Sequence, residues 1–150
     1  MSVEIRGAEA GDLPALLDLY EQLAEGFGHH PASLEQGRSL LSEINRQPGR
    51  ALLVALHNGW LAGSVDLMIV SPNLTHGGRP WAIVENVVVD RQARRLGIGR
   101  ALMEEAIRRS REAGCYELQL LSNRVRTDAH AFYRALGFQS SAEGFRLYMS

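Results

Sequence analysis

Val87-Val88-Val89-Asp90, followed by Arg91-Gln92-Ala93-Arg94-Arg95-Leu96-Gly97-Ile98-Gly99-Arg100, is the stretch whose reading decides the fold. The first four residues read as the end of a strand, and the glycines open a helix whose apolar stripe is Leu102, Met103, Ala106 and Ile107. Two glycines at a strand-to-helix junction let backbone N–H groups approach a ligand closely. The partial positive charge of the helix amino terminus suits that junction to an anion such as a pyrophosphate. Arg91, Arg94, Arg95 and Arg100 crowd the same helix end, where the macrodipole disfavours cations and a bound polyanion would compensate them. A glycine-softened loop carrying solvated arginines is the plainer alternative. A dinucleotide fold is the rival with chemistry, since Gly97-Ile98-Gly99 begins a G-x-G-x-x-G. Leu102 replaces its third glycine, and a loop separates Asp90 from Gly97 where that fold turns at once. Glu117, at the acidic spacing, speaks on the rival's side.

Outward from the junction, the periodicity alternates between strand and helix. Trp81–Asp90 reads as a strand buried on both faces, and Gly97–Ala113 as the clearest helix, stopped by Gly114. Upstream, Ala51–His57 and Trp60–Val70 flank Asn58-Gly59, a hairpin signal. Val3 and Ile5 mark a first strand, and Asp12 caps a helix that ends near Gly26 or Gly28. Ser33 with Gln36 forms a capping box before a second helix, which Gln47-Pro48-Gly49 stops. Downstream, Cys115–Leu121 predicts a strand, Thr127–Leu136 a helix, and Phe145, Leu147 and Met149 a final alternating strand. The predicted order is βααβββαβαβ, without repeats or linkers, in one domain over residues 1–150.

Composition excludes several functions. The chain of 150 residues has 16 basic side chains, all arginine, against 17 acidic ones, with a net charge of −1. Near-neutrality argues against capture of nucleic acid or of an anionic membrane. No apolar run approaches the roughly 18 residues of a membrane span. Without lysine there is neither a Walker A loop nor a Schiff base. The single cysteine, Cys115, agrees with a reducing compartment, and Glu4 and Arg6 interrupt any secretory signal, so the expected location is cytoplasmic. His29, His30, His57, His76 and His130 lack metal-ligand spacing, and no metal is expected.

Arg94-x-x-Gly97-x-Gly99 after a Val-Val-Val-Asp strand resembles motif A of the GNAT superfamily of N-acetyltransferases. Phe132-Tyr133-Arg134-Ala135-Leu136-Gly137-Phe138 resembles the family's motif B. The order of elements matches as well, so the resemblance spans nearly the whole chain. It implies a GNAT fold of the α/β (α+β) class, with a mixed, mostly antiparallel, splayed sheet of about six to seven strands and about four helices. It also implies acetyl-CoA as co-substrate, with the pyrophosphate held by Arg94, Arg95, Leu96, Gly97, Gly99 and Arg100. The pantetheine arm would pair along Val87 and Val89, and Asn123 would contact it beside Leu121 and Ser122.

The resemblance sets Tyr133 where the family protonates the departing thiolate. A phenol of pKa ~10 stays protonated at neutral pH yet can donate to a basic sulfur. Its alternative is packing beside Phe132. Glu85 interrupts an apolar strand, where a lone buried carboxylate is costly. On simple alternation it shares a face with Ile83, Val87 and Val89, so it is the candidate general base, through water, for the amine. An ion pair with an arginine such as Arg79 is the alternative. His76, in the Ser71–Pro80 loop, is the reserve candidate.

The expected reaction is direct transfer of the acetyl group to a primary amine of a small molecule, since no Cys-His or Ser-His pair suggests an acyl-enzyme. Val84–Asp90 with Gly114-Cys115-Tyr116 is similar to glucosamine-6-phosphate N-acetyltransferases. Ser122-Asn123 with the segment from Arg126 to Tyr133 is similar to aminoalkylphosphonate N-acetyltransferases. A protein or peptide N-acetyltransferase and a non-catalytic acyl-CoA sensor stay open, as does a homodimer.

Overall fold

The computed structural model describes residues 2–149. The chain divides into two compact units, one running to Gln119 and the other beginning at Leu120.

The first unit is built on a five-stranded sheet in the order β1 (Val3–Gly7), β2 (Arg50–His57), β3 (Trp60–Val70), β4 (Trp81–Val89) and β5 (Leu118–Gln119). The first three pairings are antiparallel and β4–β5 is parallel. Asn58 and Gly59, both at positive φ, close the β2–β3 hairpin as the dipeptide predicts. Helices α1 (Leu13–Ala24) and α2 (Leu34–Arg46) follow β1. The capping box before α2 is complete, with the Ser33 hydroxyl accepting from the Gln36 N–H at 3.1 Å and the Gln36 side chain accepting from the Ser33 N–H at 3.0 Å. Leu13, Leu16 and Leu41 from these helices pack with Leu52 and Val54 of β2, joined by Tyr20, Ile44, Leu56 and Leu61.

Helix α3 (Ile98–Glu112) covers the sheet at Gly63 of β3. A Cβ at Gly63 would meet Ile98 Cγ2, Leu102 Cδ1 and the Val88 carbonyl, each at 3.0 Å, so the helix rests directly on backbone there. This contact explains why Leu102 stands where a dinucleotide fold has its third glycine. The side chain is a buried anchor of α3.

Two expected strands differ. In place of a strand over Cys115–Leu121, only Leu118 and Gln119 pair, with Ala82 and Ile83. Just before them, the Glu117 carbonyl accepts from the Ala82 N–H and the Tyr116 N–H donates to the Pro80 carbonyl, both at 3.0 Å, and earlier residues bond elsewhere. Cys115 N–H donates to the Ser110 carbonyl at 3.0 Å, closing α3, and Arg79 holds the Gly114 and Cys115 carbonyls at 2.9 Å each. The final strand does not form either. Phe145, Leu147, Tyr148 and Met149 are exposed and unpaired in any sheet, since alternation makes a strand only where a partner strand pairs with it. Among the described residues the sheet therefore has five strands rather than six to seven, while the mixed, mostly antiparallel class and the four helices are as expected. Among the described residues, no helix is long and apolar enough to cross a membrane.

In the second unit, α4 (Thr127–Ala135) follows a turn in which Asn123 Oδ1 accepts from the Val125 N–H at 3.1 Å. The Asn123 carbonyl accepts from the Arg126 N–H at 3.0 Å and lies 2.9 Å from His130 Nε2.

Candidate active site

The junction between β4 and α3 is a short, tightly specified turn. Asp90 Oδ1 accepts from the Gln92 N–H at 2.8 Å and the Asp90 carbonyl from the Ala93 N–H at 2.8 Å, making a 3-10 turn over Arg91–Ala93. Arg94 is extended, Arg95 takes a left-handed φ of 66°, and Gly97 sits at φ 81° as the N-cap of α3. The first helical bond runs from the Ala101 N–H to the Gly97 carbonyl at 3.0 Å. The N–H groups of Ile98, Gly99 and Arg100 thus precede the helical ladder and have no acceptor within it. Nor does any acidic residue occupy the first turn. Around Gly97 there is open space, for a Cβ built there meets nothing within 4 Å. These features fit a pyrophosphate: free donors, a positive helix end and no side chain in the approach.

The four arginines are not equally free, so a bound polyanion is not the sole compensation for the cluster. Arg91 pairs with Glu25 at 2.6 Å and Arg100 with Glu104 at 3.2 Å. Arg94 and Arg95 are exposed and have no carboxylate partner among the described residues.

Strand β4 leads into this turn with one edge open. No strand pairs with Val84–Val89 on the side away from β3, among the described residues, because β5 reaches only Ala82 and Ile83. Backbone groups of Val87 and Val89 therefore lie on an edge that an extended ligand could join.

A bulge in β4 revises the position of Glu85. Asp66 of β3 pairs with Glu85 and Ser64 with Val88, so Asn86 and Val87 together oppose Val65. Asn86 absorbs the extra residue with a φ of 54°. Asp66 and Ser64 share one face of β3, which puts Glu85 on the face of Val88 and not with Val87 and Val89, as simple alternation predicts. Glu85 is also exposed rather than buried, and it forms no ion pair with Arg79, whose guanidinium is on the Gly114 and Cys115 carbonyls. Its cross-strand neighbour Asp66 is buried and held bidentately by Arg50, at 3.0 and 2.6 Å. Burial pushes the nearby Tyr20 hydroxyl up to about 12, with Asp66 adding to the effect.

Tyr133 and Asn123 belong to the second unit. The Tyr133 ring lies edge-on to Phe132 at 5.3 Å and to Phe138 at 5.9 Å. Burial raises its phenol above the ordinary range, against a smaller lowering by Arg126. The group therefore keeps its proton at neutral pH. Asn123 has its side-chain oxygen committed to Val125, which leaves the amide N–H groups as its free donors. His76 stacks on Tyr116, with ring centroids 3.7 Å apart, and burial pushes the Cys115 thiol up, away from nucleophilic duty.

Gln22 escapes sequence reasoning. Its side chain contacts both Asp90 and Arg91 from α1, and nothing in a polar helix position nearly half the chain away signals that.

Residues 13–138 match the acetyltransferase (GNAT) family. The chain belongs to that family. GNAT enzymes take their acetyl group from acetyl-CoA, which the free donors of the β4–α3 junction suit. A glucosamine 6-phosphate N-acetyltransferase of Trypanosoma brucei brucei is 33% identical over 149 residues, 98% of this chain and 96% of that protein. A solved structure from Agrobacterium tumefaciens, assigned to the acetyltransferases, is 36% identical with a TM-score of 0.89, covering 97% of this chain and 99% of that one. A Bacillus halodurans protein described as a transcriptional regulator is 31% identical with a TM-score of 0.85, covering 99% and 100%. This chain is thus similar along its length to proteins with different labels.

Gly97→Val is expected to abolish CoA binding, because its Cβ would occupy the approach and strain a φ of 81°. Calorimetry with CoA checks this, and a folded variant with wild-type affinity would place the pyrophosphate elsewhere.

Proposed function

We propose that this chain transfers the acetyl group of acetyl-CoA to the primary amine of a small molecule, with amino-sugar phosphates as the first acceptor class to try. The observation that carries the reading is the β4–α3 junction, where unpaired first-turn N–H groups and the open side of Gly97 follow a strand with a free edge. The acceptor class rests on the glucosamine 6-phosphate relative, which matches this chain over nearly its full length. We also propose that residues 1–150 work as one acetyltransferase domain, supported by a family match that runs through both units.

In this reading the N–H groups of Arg95, Leu96, Gly97, Ile98, Gly99 and Arg100 hold the pyrophosphate, with Arg94 and Arg95 adding charge. Val87, Val89 and Asn123 bind the pantetheine arm. Bound acetyl-CoA supplies the acetyl group as a thioester, reactive toward amines. Glu85, exposed to solvent, takes a proton from the acceptor ammonium through water, so that the neutral nitrogen can form its bond to the carbonyl carbon. The carbon–sulfur bond then breaks, Tyr133 gives its phenolic proton to the departing sulfur, and the second proton shed by the newly bonded nitrogen passes through solvent to restore the phenol. Burial suits Tyr133 to that role by keeping it protonated until pH rises above the ordinary phenol range.

An acetyl-CoA consumption screen over amino sugars and their phosphates, aminoalkylphosphonates, polyamines and peptides tests the function. Turnover with a small amine supports it. Turnover confined to peptides favours protein acetylation, and CoA binding with no turnover favours a sensor.

Tyr133→Phe is expected to lower kcat on the order of 10²–10⁴-fold with CoA affinity nearly unchanged. Steady-state kinetics beside calorimetry separate the two, and a fully active variant would reduce Tyr133 to packing.

Glu85→Gln is expected to slow turnover by about 10²-fold, the low end for loss of a proton-transfer group, with the deficit largest at low pH. There the amine is mostly ammonium and depends on a base. The pH profile of kcat/KM decides: a variant equal to wild type in rate and profile makes Glu85 structural and turns attention to His76.

A further inference from the structure

We propose that Gln22 is a positioning residue for the cofactor turn, its carboxamide clamping Asp90 and Arg91 from α1 and thereby setting the backbone of Arg94–Arg100. The proposal rests on the reading of that turn as the pyrophosphate site.

Both ends of the Gln22 amide are in use. Nε2 donates to Asp90 Oδ2 at 3.2 Å, and Oε1 accepts from the Arg91 N–H at 3.0 Å. Asp90 is divided between two tasks, since its other oxygen, Oδ1, caps the Arg91–Ala93 turn through the Gln92 N–H at 2.8 Å. Its own N–H donates to the Ala62 carbonyl of β3 at 2.8 Å. The turn that launches Arg94, Arg95 and Gly97 is therefore fixed at its root from the sheet and from α1. The neighbouring Arg91–Glu25 pair, exposed on both sides, is a weak substitute for these bonds.

The clamp is not what holds α1 to the protein. Leu13, Leu16, Leu19 and Ala24 are buried and supply that contact. What Gln22 adds is specific to the turn. Only a group with a donor and an acceptor at carboxamide spacing satisfies a carboxylate and a backbone N–H together. Donors aimed at a polyanion work only if correctly placed, and small misplacements are costly.

The chemistry dictates a swap experiment on the full chain. Gln22→Glu sets a carboxylate against that of Asp90, and Asp90→Asn sets one amide donor against another. Together, Q22E and D90N restore a matched pair. The amide introduced at position 90 donates to the carboxylate introduced at position 22, which still accepts from the Arg91 N–H. Calorimetry with CoA, and separately with pantetheine, which lacks the pyrophosphate, reads the result. Each single variant is expected to weaken CoA about tenfold, the size of one or two net hydrogen bonds. The double variant is expected to recover most of that loss, and pantetheine affinity is expected to stay constant throughout. Wild-type CoA affinity in the single variants, no recovery in the double, or equal losses for CoA and pantetheine would overturn the proposal. If the wild type itself fails to bind CoA, or Gly97→Val binds as wild type, the pyrophosphate reading falls and this proposal falls with it.

Discussion

Three backbone N–H groups at the start of α3, those of Ile98, Gly99 and Arg100, precede the first helical hydrogen bond and need acceptors from outside the helix. In most helices a serine, threonine or aspartate caps such donors. Here the N-cap is Gly97, which has no side chain to offer, and no acidic residue stands in the first turn. Contacts with the sheet fix the helix that carries those donors. Ile98 and Leu102 anchor the helix on the bare backbone of Gly63, and the Asp90 turn joins it to β4. An anion with several oxygens is the ligand such an arrangement suits, and the family's acetyl-CoA carries one.

The second constraint is the bulge at Asn86 and Val87. An antiparallel strand without it would present Glu85 on the same face as Val87 and Val89. With the extra residue, Glu85 turns toward the face of Val88 while the valine backbone continues along the open edge into the β4–α3 turn. One positive φ at Asn86 thus separates the candidate proton acceptor from the candidate pantetheine edge within a few residues of chain.

What was legible in the sequence was local. The Ser33–Gln36 capping box, the Asn58-Gly59 hairpin and the Gly97-x-Gly99 helix start each encode their conformation within a few residues, and the structure has all three. What was not legible depends on distant partners. The bulge follows from how β4 registers on β3, and alternation within β4 alone is blind to it. Arg79 holds the Gly114 and Cys115 carbonyls ahead of the short β5, and Gln22 reaches the β4–α3 turn from α1. The tail residues Phe145, Leu147 and Met149 have the pattern of a strand but pair with no other strand, and pattern alone does not supply a partner. Tyr133 and Asn123 were visible only through the resemblance of their surroundings to the family, since an aromatic on a helix otherwise reads as packing.

That the amides opening α3 bind the pyrophosphate of CoA is the central claim. The most direct measurement follows backbone amide proton and nitrogen shifts of the isotopically labelled chain during titration with CoA. The largest changes, with downfield proton shifts from new hydrogen bonds, are expected on Arg95, Leu96, Gly97, Ile98, Gly99 and Arg100. Saturable binding that leaves these amides unmoved while others shift would contradict it.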